Sequence, residues 1–288
     1  MSAVGQFENY RPLMFAIAYR MLGSAADAED IVQDAYLRYQ AVPPETIVSA
    51  KAFLSTIVTR LSLTRLQSAH LQRETYIGPW LPEPVLTEHD SCSSPTEQLN
   101  LHDSLSMAFL VLLEELTPLE RAVFLLREVF DYEYAEIAEI VGKEEAACRQ
   151  LLSRAKKHLA ARRPRFNPDR TEHRRMLDQF LQAVSTGELD GLMQLLADDV
   201  TLWADGGGKA RGAALHPLHG PEAVARFVLA STRFMSSDYR VEIAGINGEL
   251  AVILRVEDQA RVVLFITAAR GRLQEIRVIG NPDKLKRI

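Results

Sequence analysis

Three small residues at fixed spacing, Ala138, Gly142 and Cys148, place the tightest constraint on what this chain can fold into. Two helices cross closely at a sharp turn when the first carries a small residue at the contact and a glycine four positions later supplies a left-handed turn. The second helix must then return a small apolar side chain. Ala138, Gly142 and Cys148 occupy those places, and Ile137, Val141 and Leu151 complete an apolar interior, the pattern of a helix-turn-helix. The second helix is predicted over 143–163, closed by Pro164. The segment from Ala146 to Arg165 carries seven cations and no acid, whereas Glu133, Glu136, Glu139, Glu144 and Glu145 precede that segment. A net charge of −5 therefore hides a local basic stripe. At about 1.5 Å per residue such a helix reaches about 30 Å, so one end can enter a major groove while the other tracks phosphates. Lys143, Arg149, Ser153 and Arg154 are candidates for base edges. Lys156, Lys157, Arg162 and Arg163 are candidates for phosphates, contacts that position without specifying sequence. A solvated amphipathic helix on the outside of a bundle has the same appearance, so the neighbouring segments decide.

Upstream, apolar residues from Phe7 through Tyr10, Met14, Ile17, Ala18 and Met21 keep helical spacing until Gly23. Ser24 reads as an N-cap with Asp27 as its partner, and the helix that follows buries Ala28, Ile31, Val32, Ala35 and Tyr39. Asp27, Asp30, Asp34 and Arg38 fall on its opposite face. After Pro43-Pro44 a third helix turns Phe53, Leu54, Ile57, Val58 and Leu61 inward and Arg60, Leu63, Thr64 and Gln67 outward. Prolines and a serine-rich run mark 70–98 as a linker, although Trp80, Leu81, Val85 and Leu86 are too apolar for a free spacer. Helical spacing returns over 99–116, and Thr117-Pro118 caps a new helix running to about Phe130.

Beyond Pro168 the grammar changes. Helices at about 171–186 and 189–197 precede a strand at 200–204, a Gly206-Gly207-Gly208 loop and a helix near 220–233. Four strands follow at roughly 239–246, 249–257, 260–269 and 272–279, with Asn247-Gly248 and Gly271 as hairpin signals. Helices first and strands last predict an α+β domain with a curved antiparallel sheet. At 288 residues, 47% hydrophobic and 25% charged, the chain suits several compact units rather than disorder. No apolar run approaches the roughly 20 residues that span a bilayer, and no signal peptide is evident, so a cytoplasmic protein without membrane contact is expected. Cys92 and Cys148 make no metal spacing, and neither a metal nor a cofactor is expected.

Two blocks carry a family resemblance. The stretch Ala18-Tyr19-Arg20-Met21-Leu22-Gly23 through Asp27-Ala28-Glu29-Asp30-Ile31-Val32-Gln33-Asp34 resembles the polymerase-binding part of the second domain of bacterial sigma factors. The stretch from Leu119-Glu120-Arg121 to Ser153-Arg154-Ala155 resembles their fourth domain, and the two occur in the family's order. The resemblance is to the extracytoplasmic-function sigma factors. It implies that residues 1–69 bind core RNA polymerase and the −10 element, that 70–98 form a linker, and that 99–166 bind the −35 element. Asp30, Gln33 and Asp34 would then face the polymerase clamp, and Arg60, Thr64 and Arg65 the opened −10 strand. Leu63 is a candidate apolar wedge. The −35 set is Lys143, Arg149, Ser153, Arg154, Lys156 and Lys157.

Residues 170–288 resemble SnoaL-like domains, which fold as a cone of helices over a curved sheet. A subgroup of these sigma factors carries that extension, and three short features match it. They are Trp80-Leu81-Pro82-Glu83-Pro84, Asp205-Gly206-Gly207-Gly208-Lys209 and Asn281-Pro282-Asp283-Lys284-Leu285. The resemblance implies a regulatory domain that contacts the linker and the sigma domains within the same chain, through Trp80, Leu81, Pro82, Asp205, Lys209, Asn281, Asp283 and Lys284. The spacing of a nucleotide-binding loop is absent around Lys209. The chain is therefore expected to be a promoter-directing initiation subunit and no enzyme. Two other readings stay open: a ligand-sensing DNA-binding regulator, and a SnoaL-like isomerase or cyclase using Asp205 with His216, His219 or Trp203. A small-molecule ligand of the cone is compatible with each.

Overall fold

The structure, a computed structural model, describes residues 3–87, 105–160, 170–234 and 238–288. Cys92, Arg162, Arg163 and the predicted helix start at 99 lie outside the described residues. The described residues form two compact units. One contains those up to Glu74 and those from Phe109 to 160; the other contains Thr75–Ala108 and everything from 170 on.

The first unit is helical. Helix α1 spans Ala3–Leu22 and ends where Gly23 turns left-handed at φ 67°. Helix α2, Ala25–Gln40, is capped by Ser24, whose hydroxyl accepts from the Asp27 amide at 3.2 Å. Its buried stripe holds Ala28, Ile31, Val32, Ala35 and Tyr39. Helix α3, Ala50–Glu74, runs on into the first residues of the stretch read as linker. Leu71, Gln72, Arg73 and Glu74 all favour helix, and the break waits for Gly78-Pro79. Helix α4 covers Met107–Leu113. Helix α5, Pro118–Phe124, starts in a full capping box between Thr117 and Glu120 and continues as a π-turn over Leu125–Val129. Helix α6, Tyr134–Val141, stops at Gly142 (φ 65°), and α7 spans Glu145–Ala160. Ile137, Ile140, Cys148, Leu151 and Leu152 are buried in the helix-turn-helix, whereas Val141, expected in that interior, is half-buried and Ile140 takes the inner place.

Beyond the linker, the second unit continues with α8, Arg170–Thr186, and α9, Leu189–Leu195. Strand β1, Leu196–Asp205, and the short β2, Leu218–His219, precede helix α10, Pro221–Ser231. Strands β3 (Tyr239–Ile246), β4 (Glu249–Val256), β5 (Gln259–Ala269) and β6 (Arg272–Ile279) follow as hairpins. The sheet order is β2-β1-β6-β5-β4-β3. The expected antiparallel sheet is in fact mixed, because β1 runs parallel to β6, with Ala204 opposite Val278. Tight turns force the β3–β6 hairpins to be antiparallel. β1 reaches β6 only after helical and looped chain, which permits the parallel direction. Met176, Leu177 and Phe180 of α8 and Val224 of α10 pack with Leu202, Ile266 and Ile276 over one face of the sheet.

Candidate nucleic-acid interface and linker clamp

Asp30, Gln33 and Asp34 stand together on the exposed face of α2, because the apolar stripe of that helix consumes the other side. Arg65 reaches back to this face. Its Nε donates to Asp27 Oδ1 at 3.1 Å, and Asp27 first, then Asp30 and Asp34, raise its pKa. Thr64 is exposed, its hydroxyl donating to the Arg60 carbonyl at 3.0 Å. Leu63 is half-buried.

Arg60 is placed where sequence reasoning did not look. Its Nε donates to the Ile140 carbonyl at 3.0 Å and its Nη2 to that of Glu139 at 2.8 Å. These belong to the last turn of α6, where carbonyls lack an intrahelical partner and the helix dipole favours a cation. Ala138 O is already taken by the amides of Gly142 and Lys143. Arg60 of α3 thus completes the cap of the first helix of the helix-turn-helix. A reciprocal contact runs the other way: the Arg121 guanidinium of α5 donates to Met21 O at the end of α1, and to Glu114 Oε1, both at 2.7 Å. Burial pushes Arg121 down to about 9. Nearby, the hydroxyls of Ser55 and Tyr132 meet at 2.6 Å. Thr59 and Ser62, also buried on α3, have hydroxyls with no hydrogen-bond partner among the described residues.

Lys143, in the turn before α7, and Arg149, Ser153, Arg154, Lys156 and Lys157 on it are all exposed. Three are partly neutralised. Arg149 pairs with Glu145 at 2.6 Å and lies over the Tyr134 ring, Arg154 lies 3.6 Å from Glu120, and Lys156 lies 2.9 Å from Glu128. Lys143 and Lys157 make no ion pair among the described residues. Exposed pairs of this kind are weak and exchange readily for phosphate.

The second unit gathers residues from all three short features. Asp205, at the end of β1, is 0% exposed. Its carboxylate accepts from the Leu81 amide at 2.8 Å, from Lys284 Nζ at 2.7 Å, and from the Tyr76 hydroxyl. Its carbonyl accepts from the amides of Gly280 and Asn281 at 2.8 and 3.0 Å. Lys284 also donates to Leu81 O and lies over the rings of Trp80 and Tyr76, 4.2 and 5.1 Å from their centroids. Asn281 Nδ2 donates to the Tyr76 oxygen at 2.8 Å, and Lys209 pairs with Asp283. Burial, then the hydrogen bond to Asp205, pushes the Tyr76 pKa upward. Pro82 is buried along with Leu81, Glu83 and Pro84. The Asp205 carboxylate is committed to the linker rather than open to a substrate. His216 and His219 are exposed, and His219 Nδ1 lies 3.2 Å from Thr201 Oγ1.

Sequence reasoning missed two members. Tyr76 lies in a stretch read only by composition. Asn247, read as a hairpin residue, is 0% exposed; its Oδ1 accepts from the Val85 amide at 2.7 Å while its own amide donates to Val85 O at 2.9 Å. Thr87 N donates to Gly245 O at 2.9 Å, and Leu86 bridges Ile246 antiparallel. Linker residues 85–87 thus extend the sheet at the edge strand β3, a form of strand addition. The sequence marked Asn247 only through the Asn247-Gly248 hairpin signal, which carries no sign of its burial.

Residues 6–71 match the Sigma-70 region 2 family, 106–159 the Sigma-70 region 4 family, and 177–280 the SnoaL-like domain. The chain is 37% identical over 291 residues to the ECF RNA polymerase sigma factor SigJ of Mycobacterium tuberculosis, covering 98% of this chain and 92% of that protein. It is 30% identical over 282 residues to the probable ECF RNA polymerase sigma factor SigI of the same species, covering 96% and 92%. The crystal structure of M. tuberculosis SigJ superimposes with a TM-score of 0.75 at 35% identity, covering 98% of this chain and 97% of that one.

Proposed function

Because this chain belongs to the extracytoplasmic-function RNA polymerase sigma factors and carries a SnoaL-like domain, we propose that its linker clamp controls how its two promoter-binding regions are deployed. It is a transcription initiation factor rather than an enzyme, and membership of the family implies association with core RNA polymerase and promoter DNA. Among the described residues no helix is long and apolar enough to cross a membrane. In our reading Asp30, Gln33 and Asp34 form the polymerase-facing patch, complementary to a basic partner surface. Arg60, Thr64 and Arg65 serve the −10 element. Lys143, Arg149, Ser153, Arg154, Lys156 and Lys157 serve the −35 element.

Arg60 carries a further implication. A guanidinium already spent on Glu139 and Ile140 carbonyls is withheld from a DNA strand, so the free chain is a closed form in which a −10 residue caps the −35 reader. Opening exchanges two hydrogen bonds to main-chain carbonyls for charge-assisted bonds to phosphate. The unpartnered Thr59 and Ser62 hydroxyls support this, since burying them costs free energy that opening returns.

The observation that carries the clamp reading is the buried Asp205–Lys284 pair with the Leu81 amide on the same carboxylate. Holding residues 76–87 against the sheet restrains the reach between the segments that the linker joins. Release of that segment is the switch, a two-state order–disorder transition. The test is run-off transcription with core polymerase, comparing the full chain with truncations lacking 281–288 or 170–288 and with Asp205→Ala. Output should change in each variant, together with binding to promoter DNA in the presence of core. Equal output from all of them would remove the clamp from the mechanism.

A further inference from the structure

A cavity of about 1110 Å³ opens in the second unit between the helices and the sheet. Its lining follows the cross-strand rows. Ala204, Val278, Leu264 and Val252 are successive partners across β1, β6, β5 and β4. The parallel row of Leu202, Ile276 and Ile266, two residues deeper, is fully buried, whereas Leu264 and Val278 are only half-buried and Val241, farther out on β3, is 46% exposed. Packing therefore stops partway up the sheet and leaves an apolar chamber of ligand size. Of the polar side chains at its wall, Ser185, Ser231 and Thr232 already donate to carbonyls of their own helical turns, which leaves the Gln182 amide and the Tyr239 hydroxyl among mostly apolar lining. Such a lining suits an occupant with a largely apolar body.

Its charge is set by the rim. Three charged residues line the chamber: Asp205, Arg211 and Arg261. Asp205 is neutralised by Lys284 and turned to the linker. Arg211 and Arg261 make no ion pair among the described residues. Arg261 owes its position to a β-bulge: Leu254 pairs with Val262 but Arg255 pairs with Ala260, so Arg261 is the extra residue. Bulges of this kind re-aim a side chain.

One wall is the turn that holds the linker. Ala210, Arg211, Gly212 and Ala213 line the chamber, while the backbone of Gly207 and Gly208 lies against Tyr76, Asn281 and Ile77. The turn is closed by the Lys209 and Ala210 amides donating to Gly206 O at 2.9 and 3.0 Å. The chamber wall and the backbone that faces the linker are thus parts of one continuous turn, 206–213.

We propose that this chamber binds an apolar molecule with a single anionic head, the head paired with Arg211 and Arg261, and that occupancy loosens the linker through the 206–213 turn. The second half of the proposal rests on the clamp reading above; the binding half does not. The experiment uses the full chain and decanoate as probe, with decan-1-ol as the uncharged control. Calorimetry should give saturable one-to-one binding of decanoate, at least roughly tenfold tighter than the alcohol, and the Arg211→Ala/Arg261→Ala double variant should remove that advantage. Leu264→Trp should fill the chamber and abolish binding. In a Trp203→Phe background the Trp80 emission should shift to the red as decanoate saturates. Absence of saturable binding, or equal affinity for acid and alcohol, overturns the ligand class; the surface double variant keeps this decisive even if Leu264→Trp fails to fold. Saturable binding with unmoved Trp80 emission overturns the coupling alone. Failure of the Asp205→Ala transcription test with decanoate still bound would strike the clamp reading and leave the site standing.

Discussion

The two units hold their segments together by opposite kinds of contact. In the first, the segments on either side of the linker are joined by guanidinium caps, Arg60 on Glu139 and Ile140 and Arg121 on Met21, with buried hydroxyls of Thr59 and Ser62 left unpartnered. In the second, the linker is held by a carboxylate with no solvent exposure, an ammonium stacked on two rings, and a strand-like bridge. A carbonyl released by an arginine at a helix end can turn to water at modest cost. A buried carboxylate released by its lysine cannot, and the surviving charge makes single-partner loss severe. In the proposed reading, the first unit opens under competition from nucleic acid, whereas the second stays shut until the pair is broken as a whole.

The sharpest way to break this contrast is Asp205→Ala, which leaves Lys284 half of a buried pair. It should destabilise the docked linker by about 3–5 kcal/mol, read as lost hydrogen-exchange protection at Leu81 and Val85. A smaller effect is expected from Asn247→Gly, which keeps the positive φ of 53° but removes the acceptor for the Val85 amide. A cost of about 1–2 kcal/mol, confined to residues 85–87, would agree; none would show that the strand bridge alone holds this end. In the first unit the sign should reverse. Thr59→Val removes a buried unpartnered hydroxyl without changing shape, and should raise thermal stability by about 1 kcal/mol while lowering promoter-dependent output, since it favours the closed form.

Weakest of all should be the Lys209–Asp283 pair, both side chains roughly half exposed. Lys209, then Lys286, hold the Asp283 carboxyl below its usual value. A lowered acid stabilises the folded state above its unfolded pKa of about 3.9, and that contribution disappears as pH falls through the lower folded value. Lys209→Ala should therefore cost no more than about 0.5 kcal/mol near neutral pH, the difference vanishing in strong acid. An urea titration at both pH values checks it.

What the sequence disclosed follows from how local each feature is. The helix-turn-helix was legible because Ala138, Gly142 and Cys148 act within a dozen residues, and Gly142 adopts the left-handed turn that its spacing requires. The β3–β6 hairpins were legible from Asn247-Gly248 and Gly271 for the same reason. The parallel pairing of β1 with β6 was not, because alternation reveals which side chains face inward but not which strand lies alongside. The exposed acids of α2 and cations of α7 were readable from helical period, whereas Arg60 found its carbonyls 79 and 80 residues away. Tyr76 was hidden in a stretch whose prolines signal a linker, and nothing in its neighbours announces a carboxylate 129 residues distant. Asp205 was picked out only because the short motifs resemble those of a subgroup; its burial was not deducible from Asp-Gly-Gly-Gly-Lys.

The central claim is that linker residues 76–87 are clamped in the free chain and released when the sigma factor engages polymerase and promoter. Hydrogen–deuterium exchange of that segment, free and then in complex with core polymerase and promoter DNA, tests it most directly. The account predicts strong protection at Leu81, Val85 and Thr87 in the free chain and its loss in the complex. Protection that persists unchanged in the complex would contradict it.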